Sequence, residues 1–527
     1  MKRPAAAVVL ALTLTGIALA AVPVARFSLD RFGLAKELVL VAGAALAAAL
    51  RLGAARRLRA DAADGLLAAT LALAAVSALG AESPWLAVRA LALLGAGIAA
   101  FEAARGARAL LAPVALAVVL AALPAVLTAW GALPDWADGR RAPAGTFGNR
   151  NFLAHLLVVG LPALALVTAR TRRRAAGLAW SAGLACVSAA LVLTRTRAAW
   201  VAGIAALVAA VAALLVLRRA NRAGPASIVA GAGRVALPVI AGVVLAVALP
   251  NRLRWHSPTP YRDTLRRLVD AREGSGRGRV IQARTTLRLV GEHPLLGVGP
   301  GNWMVAYPRY AASDDPSYDP GSPVPTNRVA NADWTGLAAE LGVPALVALV
   351  AAGLVLLTGA GRRLRTGEGE AGAGEAGEAV VVVATVAALA VAGALDAVLQ
   401  RPGPLLVGAV VLGALGPRTR ARVEWRLPRS VAAVLAALVL AAGLGAASLV
   451  ARSIAAGAIY ATDRRAPALE RAADVAPAEY RLQYLAAQYW TYQGDCARAE
   501  RFVARARGLL PSAPALGMLE ERCAGRP

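Results

Sequence analysis

The chain has 527 residues, 58% of them hydrophobic and only 5% aromatic, with 57 Lys and Arg against 31 Asp and Glu and a formal net charge of +26. This balance excludes a soluble protein, which could not hide so much apolar surface in cores of this size. The charge would point to nucleic acid in a soluble chain, but in a membrane protein it is the arginine excess of cytoplasmic loops, so no nucleic-acid partner is expected.

Apolar stretches of roughly 17–25 residues, each able to cross ~30 Å of hydrocarbon as a helix, recur from the start of the chain to about Val450. About thirteen spans are predicted by length and apolarity: 5–24, 33–52, 63–80, 85–104, 107–130, 152–169, 175–193, 199–217, 235–249, 334–357, 379–399, 404–415 and 431–450. The first follows Met1-Lys2-Arg3 like a signal peptide, but the many later spans make it a retained helix. With the N-terminus inside, the inward turns 51–59, 105–108, 170–174, 218–222, 362–365 and 418–429 are all rich in arginine. The outward connections 26–31, 135–141 and 251–333 are poorer in arginine for their length or mix both signs. Span 404–415 is the shortest, and the side of everything after it depends on its crossing. The predicted fold is therefore all-α: a polytopic membrane domain (1–450) of about 12–13 transmembrane helices with one long extracytoplasmic loop (251–333), followed by a helical tail (451–527).

In the tail, "ALERAADVAP" and "FVARARGLLP" align at Arg471/Arg505, Ala472/Ala506 and Pro477/Pro511, a spacing of about 34 that suits tetratricopeptide helix pairs. One or two such repeats bury little core alone, so the tail is expected to lean on the membrane body or on a protein partner. Of the three cysteines, Cys186 lies in a span, while Cys496 and Cys523 share the tail; spacing leaves open whether they are bridged. Residues 361–379 are Gly/Glu/Ala-rich and read as a flexible cytoplasmic linker.

The segment "GEHPLLGVGPGNW", Gly291–Trp303, has the glycines Gly297, Gly299 and Gly301 but lacks the lysine–hydroxyl ending of a nucleotide loop. His155, His256 and His293 have no paired spacing, so neither metal nor cofactor is expected. The polar features that remain fall on the outward face: "TFGNRNFLAH" with Asn149 and Asn151, "TRTR" with Arg195 and Arg197, the long loop, and "NADWTGLAAE" opening the tenth span. Arginine grips a phosphate through two parallel hydrogen bonds and keeps its charge, so Arg195, Arg197, Arg279 and Arg284 are candidate anion ligands, with Arg277 and Arg288 beside them. Asp333 and Glu340 share one stripe of the tenth helix, with Glu340 about two turns deeper. Asp396, near the outer end of the eleventh span, is a further carboxylate. Trp303, Tyr307 and Tyr310 are read as an interfacial aromatic belt or as sugar-stacking rings.

These residues carry a family resemblance. "GTFGNRNFLAHLL", "LTRTRAAW", "GRVIQARTTLRLVGEHPLLGVGPGNW" and "NADWTGLAAELGVPAL", over roughly 146–361, resemble the O-antigen ligase and polymerase superfamily of bacterial inner-membrane proteins, and Asp396–Pro402 echoes a later motif. The resemblance implies transfer of a glycan from undecaprenyl diphosphate to an acceptor hydroxyl on lipid A core, a glycan or a protein, without metal or nucleotide. Arg197 and Arg279 then match the family's diphosphate-binding arginines. The family's proposed histidine base falls at Asn331, whose neutral amide cannot take a proton. His293, Asp333 and Glu340 are the expected stand-ins, with the loop glycines presenting amides to the diphosphate. A polymerase of the same superfamily and a non-catalytic scaffold, which Asn331 would favour, are the alternatives.

Overall fold

The computed structural model describes residues 3–24, 26–27, 29–134, 142–219, 225–255, 257–268, 274–312, 315, 318, 327–366, 369–418 and 423–525; the 135–141 connection and His256 lie outside them. In chain order the elements are α1 (Arg3–Leu19), α2 (Gly33–Ala54), β1 (Arg57–Ala60), α3 (Ala62–Ala78), α4 (Pro84–Ala104), α5 (Leu111–Ala129), α6 (Arg150–Arg170), α7 (Arg174–Thr194), α8 (Arg197–Arg219) and α9 (Pro225–Ala248). The long loop carries α10 (Pro260–Arg266), α11 (Gly274–Glu292) and α12 (Trp303–Ala306). Then come α13 (Asp333–Leu341), α14 (Val343–Thr366), α15 (Gly369–Leu395), α16 (Pro402–Leu415), β2 (Val423–Arg426) and α17 (Arg429–Thr462). The tail holds α18 (Ala466–Val475), α19 (Tyr480–Gln493), α20 (Cys496–Leu509) and α21 (Pro514–Ala524). Among the described residues ten helices are long and apolar enough to cross a membrane, and α1, α3 and α16 contain shorter apolar helices. The protein is an all-α, multi-pass membrane protein whose main core joins α1, α2, α4–α8 and α14–α16.

Every expected span meets a helix, with two changes of consequence. Gly342 breaks the tenth: its φ is +82°, and a Cβ there would lie 2.0 Å from the Leu295 carbonyl oxygen, so only glycine lets the chain turn at this point. The residues expected to enter the membrane from Trp334 instead form the separate helix α13. Glu340 is thus not two turns deeper in a continuous span; its carbonyl accepts from Ser77 Oγ at the end of α3 (2.9 Å). The second change is that the expected linker is largely helix, since α15 starts at Gly369. Alanine and glutamate are strong helix formers, and acidic residues near a helix N-terminus complement its dipole.

The two ends of the bundle differ in chemistry. At one end β1 and β2 pair antiparallel, Arg57 opposite Arg426 and Arg59 opposite Glu424, a two-stranded sheet that periodicity did not predict. Here Asp61 and Asp64 form a reciprocal capping box on α3, and Arg105 bonds both carboxylates at 2.6 Å. The other end carries the long loop and the tail. Helix α17 has 34 residues, about 51 Å at 1.5 Å per residue, and so outruns ~30 Å of hydrocarbon. Its last turns leave the membrane and lead into the tail.

The tail leans on the body. Ser512 Oγ donates to the Val305 carbonyl (2.6 Å), Arg89 reaches Glu479 (3.6 Å), and Phe27, Leu29 and Leu34 pack into the tail's core. Ala472 of α18 and Ala506 of α20, aligned by the sequence spacing, are both fully buried. Cys496 and Cys523 are bridged, with Cα atoms 5.6 Å apart and a sequence separation of 27. Closing a loop of that length is worth about 2–4 kcal/mol. Cys496→Ser with Cys523→Ser is therefore expected to lower the unfolding midpoint of the tail, read by protease susceptibility of residues 463–525, and dithiothreitol should match it in the wild type.

Candidate functional site

The site is built where α6, the α7–α8 turn, α11 and the α15–α16 turn meet. Gly148, at φ +67°, brings the chain against the Phe32 ring, where a Cβ would lie 2.0 Å from Cδ2. Asn149 then caps α6 by accepting the Asn151 backbone N–H (2.8 Å). This start fixes the residues one turn on. Asn151 Nδ2 donates to Asp396 Oδ2 (3.2 Å), and Thr196 Oγ1 donates to Asn151 Oδ1 (3.2 Å). Asp396 Oδ2 also accepts from Arg279 (3.1 Å).

His155, one helical turn beyond Asn151, is fully buried; its Nε2 lies 3.8 Å from Asp396 Oδ2, and neither ring nitrogen has a hydrogen-bond partner among the described residues. Arg401 stacks on Phe152 at 4.1 Å, within electrostatic range of Asp396. Next to this cluster Arg195 adopts a left-handed conformation (φ +52°), donates to Thr264 Oγ1 (2.9 Å) and covers Trp255. Arg197 donates to the Arg267 carbonyl (2.5 Å), and Arg150 repels both Arg195 and Arg197 electrostatically. Three guanidinium groups thus stand together beside the Asp396–Arg279 pair.

The other predicted residues have different work. Asp333 is fully buried and accepts the N–H groups of Val398 and Leu399 (2.8 Å each), holding the turn that presents Asp396. Burial pushes its carboxyl up to about 7, against the lowering effect of those amides and with the Asp396 charge adding to the rise. Glu340 is likewise pushed up to about 7 by burial, while the amides of Gly301 and Trp303 lower it. Because the folded pKa of Asp333 is raised above its unfolded value of 3.8, this group's contribution to stability declines from about pH 4 and is lost by about pH 7. Asp333→Asn, whose amide oxygen still accepts both N–H groups, is expected to melt no lower than wild type at pH 8. Asp333→Ala, which strands two buried amides, should lose about 1–3 kcal/mol. Melting curves of the two variants check both.

The glycine loop does not present free amides to a ligand. Val298 N–H donates to the Ala339 carbonyl (2.9 Å) and Gly299 N–H to that of Glu340 (3.0 Å), while a Cβ at Gly297 would meet Glu340 O at 2.5 Å. Gly297, Gly299 and Gly301 all have positive φ and lock this loop onto α13, the α3–α4 connection and α4. Trp303 and Tyr307 are buried and 4.3 Å apart, with Trp303 Nε1 donating to Thr286 Oγ1 (3.0 Å), so they form the loop's core rather than an exposed belt or a sugar platform. His293 is exposed past the end of α11, roughly 20 Å along the helix from Arg279. Arg284 follows Arg279 by five residues, about 140° around that helix, and is exposed. Neither joins the Asp396 cluster.

Sequence reasoning missed His155 and Arg401. Their signals were present: His155 is four residues after Asn151, the spacing of one helix face, and Arg401 belongs to the Asp396–Pro402 tract.

Residues 182–350 match the family described as O-Antigen ligase. The match spans Arg195, Arg197, Arg279 and Asp333, while Asn151, His155, Asp396 and Arg401 reach the site from either side of it. No curated protein matches the chain. With a lipid-linked glycan as the substrate class that it suggests, the match over residues 182–350 supports the resemblance of this multi-pass membrane protein to the O-antigen ligase and polymerase superfamily.

Proposed function

We propose that the protein transfers a glycan from undecaprenyl diphosphate to an acceptor hydroxyl on the extracytoplasmic face of the bacterial inner membrane, as a ligase. The observation that carries this reading is the Asp396 carboxylate, set by Asn151 and Arg279 beside the arginines 150, 195 and 197. The guanidinium groups neutralise a lipid diphosphate and stabilise the charge that develops as it leaves. The acceptor oxygen forms a bond to the anomeric carbon, the bond from that carbon to the diphosphate oxygen breaks, and the hydroxyl proton passes to Asp396. Undecaprenyl diphosphate departs with the electron pair.

Two features at opposite ends support this orientation. Arginine-rich turns gather at the end with β1 and β2, the pattern of cytoplasmic loops, and the Cys496–Cys523 bridge at the other end suits an oxidising compartment. Labelling of single cysteines at positions 197 and 57 should find them on opposite sides of the membrane.

The test is diphosphate release from a labelled undecaprenyl-diphosphate glycan by the purified protein. Arg279→Ala is expected to slow release by about 10²–10³-fold, the scale for removing one donor to a developing oxyanion. His293→Ala should leave the rate within about twofold, the scale of a surface change. The rival reading is a scaffold, favoured by Asn331. Donor binding without turnover in the wild type, with turnover gained on Asn331→His, would establish it.

A further inference from the structure

At the arginine-rich end, away from the proposed transfer site, a groove of about 1280 Å³ opens between α2, α4 and α17. This exceeds the roughly 300–1,000 Å³ of a small-molecule pocket. Its wall on α4 runs from Val88 to Ala103, about 22 Å of helix, and is lined mainly by Ala, Leu, Val and Gly. The same sequence that closes α17 onto α2 leaves it open toward α4. A Cβ at Gly443 would lie 2.1 Å from Ala45 Cβ, whereas one at Gly445 would meet no atom within 4 Å, and one at Gly95 only Leu71 Cδ1 at 4.0 Å. An unfilled apolar slot of this length inside a bilayer demands hydrocarbon.

Charge decides which hydrocarbon. Five arginines line the groove, Arg51, Arg56, Arg57, Arg59 and Arg418, against one acid, Glu102. Glu424 pairs with both Arg57 (3.1 Å) and Arg59 (3.3 Å), which still leaves a net positive mouth, and Arg56, Arg57 and Arg59 are exposed there. The β1–β2 ribbon holds these side chains at the level where α2 ends, where a lipid headgroup would stand.

We propose that this groove is a binding site for one anionic phospholipid, its phosphate among Arg56, Arg57 and Arg59 and an acyl chain lying between α4 and α17. Such a lipid would fill the slot that small residues leave and would brace α17, and with it the tail, against the body. It stands whether or not the opposite end transfers glycans.

The test uses the full chain, delipidated in detergent and offered phosphatidylglycerol or phosphatidylcholine of matched acyl chains, with retained lipid counted by native mass spectrometry. Wild type should keep one phosphatidylglycerol and at least about tenfold less phosphatidylcholine, because each basic residue near an anionic headgroup favours it several-fold. Arg56→Gln with Arg59→Gln, an exposed change, should lower retention by about tenfold. Gly445→Leu, which fills the slot, should lower it comparably, while Leu438→Phe on an exposed face of α17 should not. Equal retention of the two lipids, or undiminished phosphatidylglycerol on either groove variant, would overturn the proposal.

Discussion

Asp396→Asn is expected to cut diphosphate release by about 10²–10⁴-fold, the range attributed to a positioned general base, while leaving donor binding within a few-fold of wild type. The substitution is nearly isosteric. Its amide oxygen can still accept from Asn151 and Arg279, so those contacts persist, while the amide nitrogen in place of Oδ1 gives up the Ala397 N–H (2.9 Å) together with the ability to take a proton. Two comparisons separate this role from a structural one. Asp333→Asn alters the carboxylate that merely holds the same turn through backbone amides, and should keep most of the turnover. Arg279→Ala removes both a phosphate ligand and the partner of Asp396, and should weaken donor binding as well as rate. A wild-type rate in Asp396→Asn would move the proton acceptor elsewhere and remove the central element of the transfer reading.

The bundle was legible because its signal is cumulative: apolar runs recur along the chain, each meets a helix, and ten of the helices among the described residues are long and apolar enough to cross a membrane. The site was legible only in part, for a physical reason. Polar residues at helix ends announce that they face one surface, but not which neighbours they find there. Asn151, Arg195, Arg197 and Arg279 could be assigned to one common face of the bundle, yet the convergence of Asn151 and Arg279 on Asp396 depends on how α6, α11 and α15 are packed. His155 looked like an ordinary histidine of a membrane helix, since its distance to Asp396 is a tertiary fact. Gly342 misled in the opposite direction: a single glycine in an apolar run is compatible with a continuous helix, and its positive φ arises from the close approach of Leu295. The loop glycines gave a true signal of close backbone approach but not of its partner, which proved to be the protein's own α13, α3–α4 connection and α4.

At the opposite end, Arg105→Ala should destabilise the fold by about 3–5 kcal/mol, because it strands two carboxylates that were buried as a set. The Arg105 side chain is 2% exposed, Asp61 5% and Asp64 14%, and one guanidinium nitrogen, Nη2, serves both acids at 2.6 Å. A lysine cannot reproduce the planar fork, which also bonds Asp64 through Nε at 3.1 Å, so Arg105→Lys should fall between wild type and alanine. Arg57→Ala removes an ion pair whose arginine is 56% exposed and should cost at most about 1 kcal/mol. The effect of Arg105 should extend along the helices it joins. Its carbonyl accepts from Arg51 and Arg418, its carboxylate partners begin α3, and the far ends of α3 and α4 hold the glycine loop through Ser77 Oγ to the Leu296 carbonyl and through Ser83 N–H to Asn302. Thermal unfolding in detergent, followed by the fluorescence of Trp303 inside that loop, checks the order wild type, Arg57→Ala, Arg105→Lys, Arg105→Ala. An Arg105→Ala midpoint no lower than that of Arg57→Ala would mean that the buried carboxylates find water or another cation at little cost, and that this charged knot does not hold the two ends of the bundle in register.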